Sequence, residues 1–242
     1  MKEKLLYEIK DTKRLLRAVP ASTVALFCVS VVLMNLLANK EVYTGSSWFA
    51  LDCGILLSWL SFLCMDVLTK RFGPRASVKI SFVAIAINLC VCAVLRIVAL
   101  IPGNWGEFYT FENDIVNQAL DNTIGGTWYV LFGSTVAMIA ASVVNAVINH
   151  TVGKKLSSDT FTAFAVRSYV STMAAQFVDN IVFTLLVSYH FFGWSLLQCF
   201  MCSLTGCIVE LVCEVVFSPI GYKISRRWEE ENVGADYLGG SK

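Results

Sequence analysis

The sequence predicts an all-α integral membrane protein, a six-transmembrane-helix bundle with both termini in the cytoplasm. Hydrophobic residues make up 56 % of the 242-residue chain, and the mean hydropathy is +0.64. Charged residues make up only 15 %, against roughly 25 % in soluble domains. The net charge of +1 gives no electrostatic reason to expect a nucleic-acid partner.

Six stretches are long and apolar enough to cross the lipid bilayer, which takes roughly 20 residues of helix. We place these spans at about 20–39, 48–68, 77–101, 127–149, 164–189 and 195–222. Together they form a transmembrane domain over residues 20–224. Residues 1–19 carry apolar residues at helical spacing between charges, which predicts an amphipathic segment along the inner membrane interface. Residues 225–242 are expected to form a cytoplasmic tail.

Basic residues are concentrated in the connections on one side of the predicted membrane topology. They lie before span one, between spans two and three, between spans four and five, and after span six (Lys2, Lys4, Lys10, Lys13, Arg14, Arg17; Lys70, Arg71, Arg75, Lys79; Lys154, Lys155; Lys223, Arg226, Arg227, Lys242). The alternate connections hold a single basic residue, Lys40. Because Lys and Arg are retained on the cytoplasmic side, we expect both termini inside and the protein in the cell membrane.

The connection between spans three and four is too long for a simple turn. It holds Trp105, Phe108, Tyr109 and Phe111 beside several acidic residues, and a short surface helix is expected near residues 112–122. The aromatic residues are typical of an interfacial anchor, and a substrate lid is the alternative.

One stretch inside span five, AQFVDNIVFTLL at 175–186, contains a carboxylate among apolar residues. Gln176, Asp179 and Phe183 are spaced i, i+3 and i+7, so they share one helical face. A carboxylate at mid-helix costs roughly 2.5–3.5 kcal/mol on insertion. That cost predicts that this face points toward other helices or a water-filled cavity.

Further polar residues lie in the other spans, and together they predict a polar cavity. They are Asn35 in span one, Asp52 and Asp66 in span two, Arg96 in span three, Asn145 and Asn149 in span four, Arg167 in span five, and Glu210 and Glu214 in span six. For the three asparagines, interhelical hydrogen bonding is an equal alternative. Arg96 and Arg167 either neutralise a carboxylate or extend toward the interface.

No cofactor and no metal is expected. The nine cysteines lie in apolar runs, where thiols behave as small hydrophobic groups. CFMC at 199–202 has no His or second Cys pair nearby, and His150 and His190 lie too far apart for an HExxH site. An enzyme is therefore not expected. An intramembrane aspartyl-type enzyme using Asp66 and Asp179 is the alternative from a different class.

Four segments, taken in order, resemble the motifs of the queuosine precursor transporters, also called the vitamin uptake transporter family. NLLANK at 35–40 resembles an early N…K motif, and MDVLTKRFGPRA at 65–76 resembles the DVLTE…YG…R signature. RSYVSTMAAQFVDNIVF at 167–183 resembles an R…ST…Q..D..F motif, and ELVCEVVFSPIGYKI at 210–224 a closing E….P..Y segment.

The resemblance implies a six-helix transporter that imports a 7-deazaguanine base, such as queuine or the cyano or aminomethyl precursor of queuosine. The family positions carried over are Asn35, Asp66, Thr69, Arg75, Arg167, Ser171, Gln176, Asp179, Glu214 and Pro219. Lys70 stands where the family has Glu, and Glu210 where it often has Lys. A reciprocal exchange of these two charges would preserve a charge pair.

The chemistry of such a deazapurine substrate suits these residues. One edge of a guanine-like ring presents N1–H and a 2-amino group, and a carboxylate such as Asp179 or Glu214 accepts from both. Gln176, Asn35 or Asn145 suits the opposite edge. Phe183, Trp128 or Phe217 could stack on the ring. Glu210 suits the cation of an aminomethyl substituent.

The driving force is left open. A protonatable carboxylate such as Glu214 permits proton coupling. Alternatively, the chain is the substrate-capture subunit of an energy-coupling-factor importer, which needs a separate ATPase module because the sequence has no P-loop. Small residues four apart in span one, Ala21 and Ala25, are compatible with such docking. A homodimer is a separate possible partner.

Overall fold

A computed structural model describes residues 2–42, 45–46, 48–106, 114–155 and 161–239. Within the described helices the side chains of some residues lie outside this description. The described chain is built from helices and one short hairpin. The helices are α1 Lys2–Ala18, α2 Ala21–Leu37, α3 Ile55–Phe72, α4 Pro74–Leu100, α5 Asp114–Gly125, α6 Trp128–Lys155, α7 Phe161–Thr184, α8 Leu196–Glu230 and α9 Ala235–Gly239. The strands are β1 Glu41–Val42 and β2 Leu51–Asp52, paired antiparallel.

Three helical stretches in the described chain are long and apolar enough to cross a membrane. They are Pro74–Leu100, which is α4, Ile115–Ala141, which covers α5 and the first half of α6, and Leu196–Phe217 in α8. The count becomes four if α1 and α2 form one broken span. The all-α membrane class is therefore confirmed, while the count of six spans stays a prediction.

A sharp bend separates α1 from α2, whose axes differ by 110°. Pro20 lies at the bend, where its ring disfavours a helical conformation of the preceding residue. α1 buries Leu15 completely and leaves Leu5, Leu6, Tyr7 and Ile9 more than half exposed. An amphipathic helix turned away from its neighbour suits the membrane interface, where such exposed apolar residues contact lipid.

The contacts of the chain divide it into two compact units. The first unit comprises Met1–Met34, Leu56–Val94 and Cys213–Lys242, and the second comprises Asn35–Ile55 and Leu95–Val212. The core of the first unit contains Leu15, Leu68, Phe72, Ile80 and Trp228, which are buried together. It therefore joins residues from both ends of the sequence.

The second unit is organised by α6, which packs along α7. Ala38, Val130 and Val187 form one small core there, against which Phe183 packs. A second small core contains Ala50, Trp194, Cys199 and Cys202. Leu185–Tyr189 forms a π-helical turn after α7, a feature that usually marks a local irregularity of a helix.

The start of α3 differs from the sequence prediction. Span two is predicted at 48–68, but the helix begins at Ile55, and residues 51–52 belong to the hairpin instead. Oδ1 of Asp52 accepts a hydrogen bond from the backbone N–H of Gly54 over 2.8 Å. An Asp that accepts a backbone N–H in this way caps a helix start, so the helix does not extend toward residue 48. The short helix expected near 112–122 is present as α5, at Asp114–Gly125.

Candidate functional site

A stripe of polar residues runs along α7 in the second unit. Gln176, Asn180 and Thr184 recur at four-residue spacing, so they lie above one another on one helical face. Gln176 is 3 % exposed and Thr184 is 2 % exposed. Buried polar side chains in a membrane helix need partners or a function, so this face is where a binding site is expected.

A matching stripe on α8 faces it. Thr184 Oγ1 lies 3.1 Å from Oγ of Ser203, and Ser203 Oγ donates to the carbonyl of Cys199 over 2.7 Å. One helical turn from Ser203 comes Gly206, and Glu210 follows one turn later. The two helices therefore meet along polar and small residues, which is typical of helix contacts in membranes.

Gly206 allows a close approach of the two helices beside Asn180. A Cβ atom added at Gly206 would lie 2.9 Å from Nδ2 of Asn180, closer than real contacts permit. That same Nδ2 donates a hydrogen bond to Oε2 of Glu210 over 3.3 Å. The glycine thus leaves the space in which Asn180 orients the Glu210 side chain, which is 5 % exposed.

Two acceptors on α7 lack partners among the described residues. Asp179 is partly buried, and no described side chain or backbone group forms a hydrogen bond or ion pair with its carboxylate. Oε1 of Gln176, one turn earlier, is buried and also has no hydrogen-bond partner. A buried acceptor without a donor, such as Oε1 of Gln176, is costly unless a ligand or water donates to it, and the partly exposed carboxylate of Asp179 is open to the same donors.

Two further predicted residues belong to the same unit. Asn35 is 2 % exposed, and its Nδ2 has no hydrogen-bond partner in the described chain. Phe183 lies one turn after Asp179 and packs against the core of Val130 and Val187. An aromatic face is thus present one helical turn from the unpaired carboxylate.

Trp128 and Arg96 also belong to the second unit, but their neighbours differ from those of Asn35 and Phe183. Trp128 is 56 % exposed and meets Phe191 edge to face, with ring centroids 6.2 Å apart. Tyr129 beside it stacks on Phe191 at 4.3 Å. Such exposed aromatic clusters are typical of the membrane interface. Arg96 packs beside Gly125 at the end of α5, where an added Cβ would lie 3.6 Å from Nη1.

Three predicted residues belong to the first unit. Asp66 is exposed on α3. Phe217 stacks on Trp59 with ring centroids 4.1 Å apart and an angle of 16° between the planes. Nζ of Lys70 lies 4.5 Å from the ring centroid of Tyr222, as in a cation–π contact.

The side chains of Asn145, Asn149, Arg167, Ser171 and Glu214 lie outside the described part of the structure. The aromatic residues Phe108, Tyr109 and Phe111 also lie outside it. Their predicted roles therefore stay predictions.

The sequence did not predict Asn180 and Gly206 as members of this candidate site. The signal for Asn180 was present, because Gln176, Asn180 and Thr184 repeat at i, i+4 and i+8. Gly206 lies one turn before Glu210, but only the packed helices reveal that its missing side chain makes room for Asn180.

Chemically, the α7–α8 surface presents acceptors. Glu210 accepts a hydrogen bond from the amide of Asn180, whereas neither Asp179 nor Oε1 of Gln176 accepts one from a described residue. Within the described residues, no group of three or more His, Cys, Asp or Glu side chains could hold a metal ion. The arrangement suits reversible binding of a small molecule that carries several N–H donors.

Residues 52–224 match the sequence profile of a family described as "putative vitamin uptake transporter". The match begins at Asp52 and includes α3, α4, α5, α6, α7 and most of α8, so the paired stripes lie within it. No curated protein and no solved structure matches the chain. The family predicted from the sequence motifs is thereby confirmed.

Proposed function

Because the chain belongs to the vitamin uptake transporter family, we propose that it imports a 7-deazaguanine base, either queuine or the cyano or aminomethyl precursor of queuosine. The substrate binds at the acceptor surface of α7 and α8. The family match supports uptake of a vitamin-like molecule, and the chemistry of the residues supports the narrower choice.

The observation that carries this proposal is the pair of open acceptors at Asp179 and Gln176. A guanine-like ring offers N1–H and a 2-amino group side by side, and both are donors. A carboxylate accepts two parallel N–H bonds, a geometry that also makes Arg–carboxylate pairs strong. Asp179 is therefore assigned to the N1 and 2-amino edge, and Gln176 to a neighbouring polar group of the same ligand.

Two neighbouring side chains complete the proposed site. Phe183, one turn from Asp179, offers an apolar aromatic face for the flat ring. Glu210, held by the amide of Asn180, is suited to the cation of an aminomethyl substituent. The charge of Glu210 would then favour the aminomethyl precursor over the cyano precursor, which has no cation.

The same proposal includes the setting of the transporter. The helices lie in the cell membrane with both termini inside, as the distribution of basic residues predicts. A protonatable carboxylate such as Glu214 makes proton-coupled import the first mechanism to test.

The experiment is uptake of labelled queuine and of both precursors by bacterial cells that lack their own precursor transporter. Wild type, Asp179→Asn, Glu210→Gln and the control Glu230→Gln are compared at matched membrane abundance, with and without a protonophore. Glu230 is an exposed acidic residue near the end of α8, so the control makes a similar acid-to-amide change away from the site.

We expect uptake of at least one ligand by wild type and by Glu230→Gln. Asp179→Asn should reduce it by roughly tenfold or more, since a charge-assisted pair of hydrogen bonds is lost. Glu210→Gln should reduce uptake of the aminomethyl precursor more than that of the cyano precursor. Absence of uptake of all three ligands, or full uptake by Asp179→Asn, would contradict the proposal.

A further inference from the structure

A wide groove lies between α1 and α4 in the first unit, remote in sequence from the α7–α8 stripes. Its volume is about 1300 Å³. Pockets for small molecules occupy roughly 300–1,000 Å³, so this groove is larger than such a ligand needs. Tyr237 and Leu238 of α9 also line it.

The polarity of the groove changes along α4. Arg75 and Lys79 line it in the first two turns of the helix, and Phe82, Val83 and Ala86 line the next two. Phe82 is 60 % exposed in the structure. A wall that is cationic at one end and apolar at the other matches an amphiphile rather than a uniformly polar or apolar ligand.

The charges of the groove leave two cations available. Nζ of Lys79 lies 2.7 Å from Glu8 and also pairs with Asp11, so its charge is compensated. Lys13 and Arg75 line the same groove and are exposed, and no described residue forms a hydrogen bond or ion pair with either of them. An anion from outside the chain can therefore pair with both.

The surroundings of the groove indicate the source of that anion. α4 is a candidate membrane span with a mostly exposed surface, so its apolar wall at Phe82 is exposed to acyl chains. α1 has a row of exposed apolar residues and is bent by 110° from α2, as suits a helix at the interface. The cationic end thus lies at the level of lipid headgroups, where phosphate is the abundant anion.

We propose that this groove binds one anionic phospholipid, whose phosphate lies between Lys13 and Arg75 and whose acyl chain lies along Phe82, Val83 and Ala86. The lipid holds α1 against α4 at the membrane boundary. This site is independent of the substrate proposed above.

The test uses the full chain in nanodiscs of phosphatidylcholine with increasing phosphatidylglycerol, and native mass spectrometry counts the retained lipids. The variant Lys13→Gln/Arg75→Gln is compared with Lys4→Gln/Lys10→Gln, which removes the same charge from exposed positions of α1 outside the groove. The groove variant should lose one tightly retained phosphatidylglycerol, with apparent affinity lower by roughly tenfold to thirtyfold. The control should retain it.

Two further experiments distinguish a bound phospholipid from other ligands of the groove. Inorganic phosphate added to the phosphatidylcholine nanodiscs should neither stabilise the protein nor compete with phosphatidylglycerol. Phe82→Ala should weaken retention of phosphatidylglycerol with both cations intact. The proposal is overturned if both double variants lose lipid equally, if phosphate competes as well as the lipid does, or if phosphatidylcholine is retained as tightly.

Discussion

The hydroxyl of Tyr237 donates a hydrogen bond to Oδ2 of Asp11 over 3.1 Å, across 226 positions of sequence. The same carboxylate pairs with Lys79, so one acid joins α1, α4 and α9. Nε of Arg71 also donates to the carbonyl of Val233 over 2.9 Å, just before α9. The short α9 is thus fixed by specific polar contacts.

Tyr237→Phe should loosen α9 while leaving the rest of the first unit intact. The substitution removes one hydrogen bond to a carboxylate, worth about 1 kcal/mol at a partly exposed position. Hydrogen exchange of the amides in 235–239 should become roughly fivefold faster. Tyr189→Phe, at a tyrosine of the second unit that is 48 % exposed, is the matched control and should leave the exchange unchanged. Equal exchange in wild type and Tyr237→Phe would show that the hydroxyl contributes nothing.

The docking of α9 should be insensitive to moderate acidification. Burial alone raises the pKa of Asp11, but hydrogen bonds from Lys79 and Tyr237 outweigh it and hold this pKa below the ordinary 3.8. A depressed carboxyl pKa adds stability that is present above the unfolded value and is lost as pH falls through the folded value. Exchange in 235–239, corrected for its intrinsic pH dependence, should therefore stay constant from pH 8 to about 5.

At alkaline pH the contact between Tyr237 and Asp11 should weaken, because here a raised pKa, not a lowered one, decides the effect. Burial, with the hydrogen bond to Asp11, raises the pKa of Tyr237 above 10.0. A raised pKa adds stability that is complete below the unfolded value and is lost as pH rises through the folded value. Protection of α9 should thus decline only above about pH 10. A transition between pH 5 and 8 would contradict both assignments.

Gly234→Ala should destabilise the first unit. Gly234 has φ of +73°, and an added Cβ would lie 2.3 Å from Cε1 of Phe72. The left-handed conformation alone costs roughly 1–3 kcal/mol for other residues, and Phe72 would also have to move. Thermal unfolding in detergent should shift to lower temperature, whereas the control Gly239→Ala, with open space around it, should not shift. An unchanged midpoint for Gly234→Ala would show that the turn relaxes freely.

Gly206→Ala should impair substrate binding more than stability. The added methyl group displaces the Asn180 amide from its position against Glu210. We expect the affinity for the proposed 7-deazaguanine substrate to fall by roughly tenfold, the loss of about one hydrogen bond to a charged group. The control is Gly103→Ala, which meets nothing within 4 Å. The effect is measured as ligand-induced thermal stabilisation in detergent. Equal stabilisation of both variants would show that Asn180 is not part of the binding site.

Hydropathy and charge predicted most of the helices but not their ends. The predicted spans at 77–101 and 195–222 correspond to Pro74–Leu100 and Leu196–Glu230, because long apolar runs have few alternatives to a helix. The start of α3 at Ile55 was missed, since it depends on a cap formed by Asp52 and on pairing with residues 41–42. Helix α9 was also missed, because a five-residue helix is stabilised by its contacts with α1 rather than by its own sequence.

The sequence predicted which types of residue form the candidate site, but it did not predict which side chains pair with one another. A buried carboxylate in an apolar span, Asp179, is recognisable from sequence alone. The pairing of Asn180 with Glu210 is not, because it depends on the register in which α7 meets α8. That register is fixed by small residues such as Gly206, which resemble any other helix-contact glycine in a sequence.

The composition of the first unit from both ends of the chain has a consequence for biosynthesis. Leu15 is synthesised before the second unit, but its core partner Trp228 is synthesised only after the whole of that unit. The second unit, with Asn35–Ile55 and Leu95–Val212, can be completed before the ribosome reaches α9. A nascent chain that stops short of Trp228 therefore carries an unfilled apolar core in the first unit, and exposed apolar surface of this kind makes an incompletely folded chain prone to aggregate.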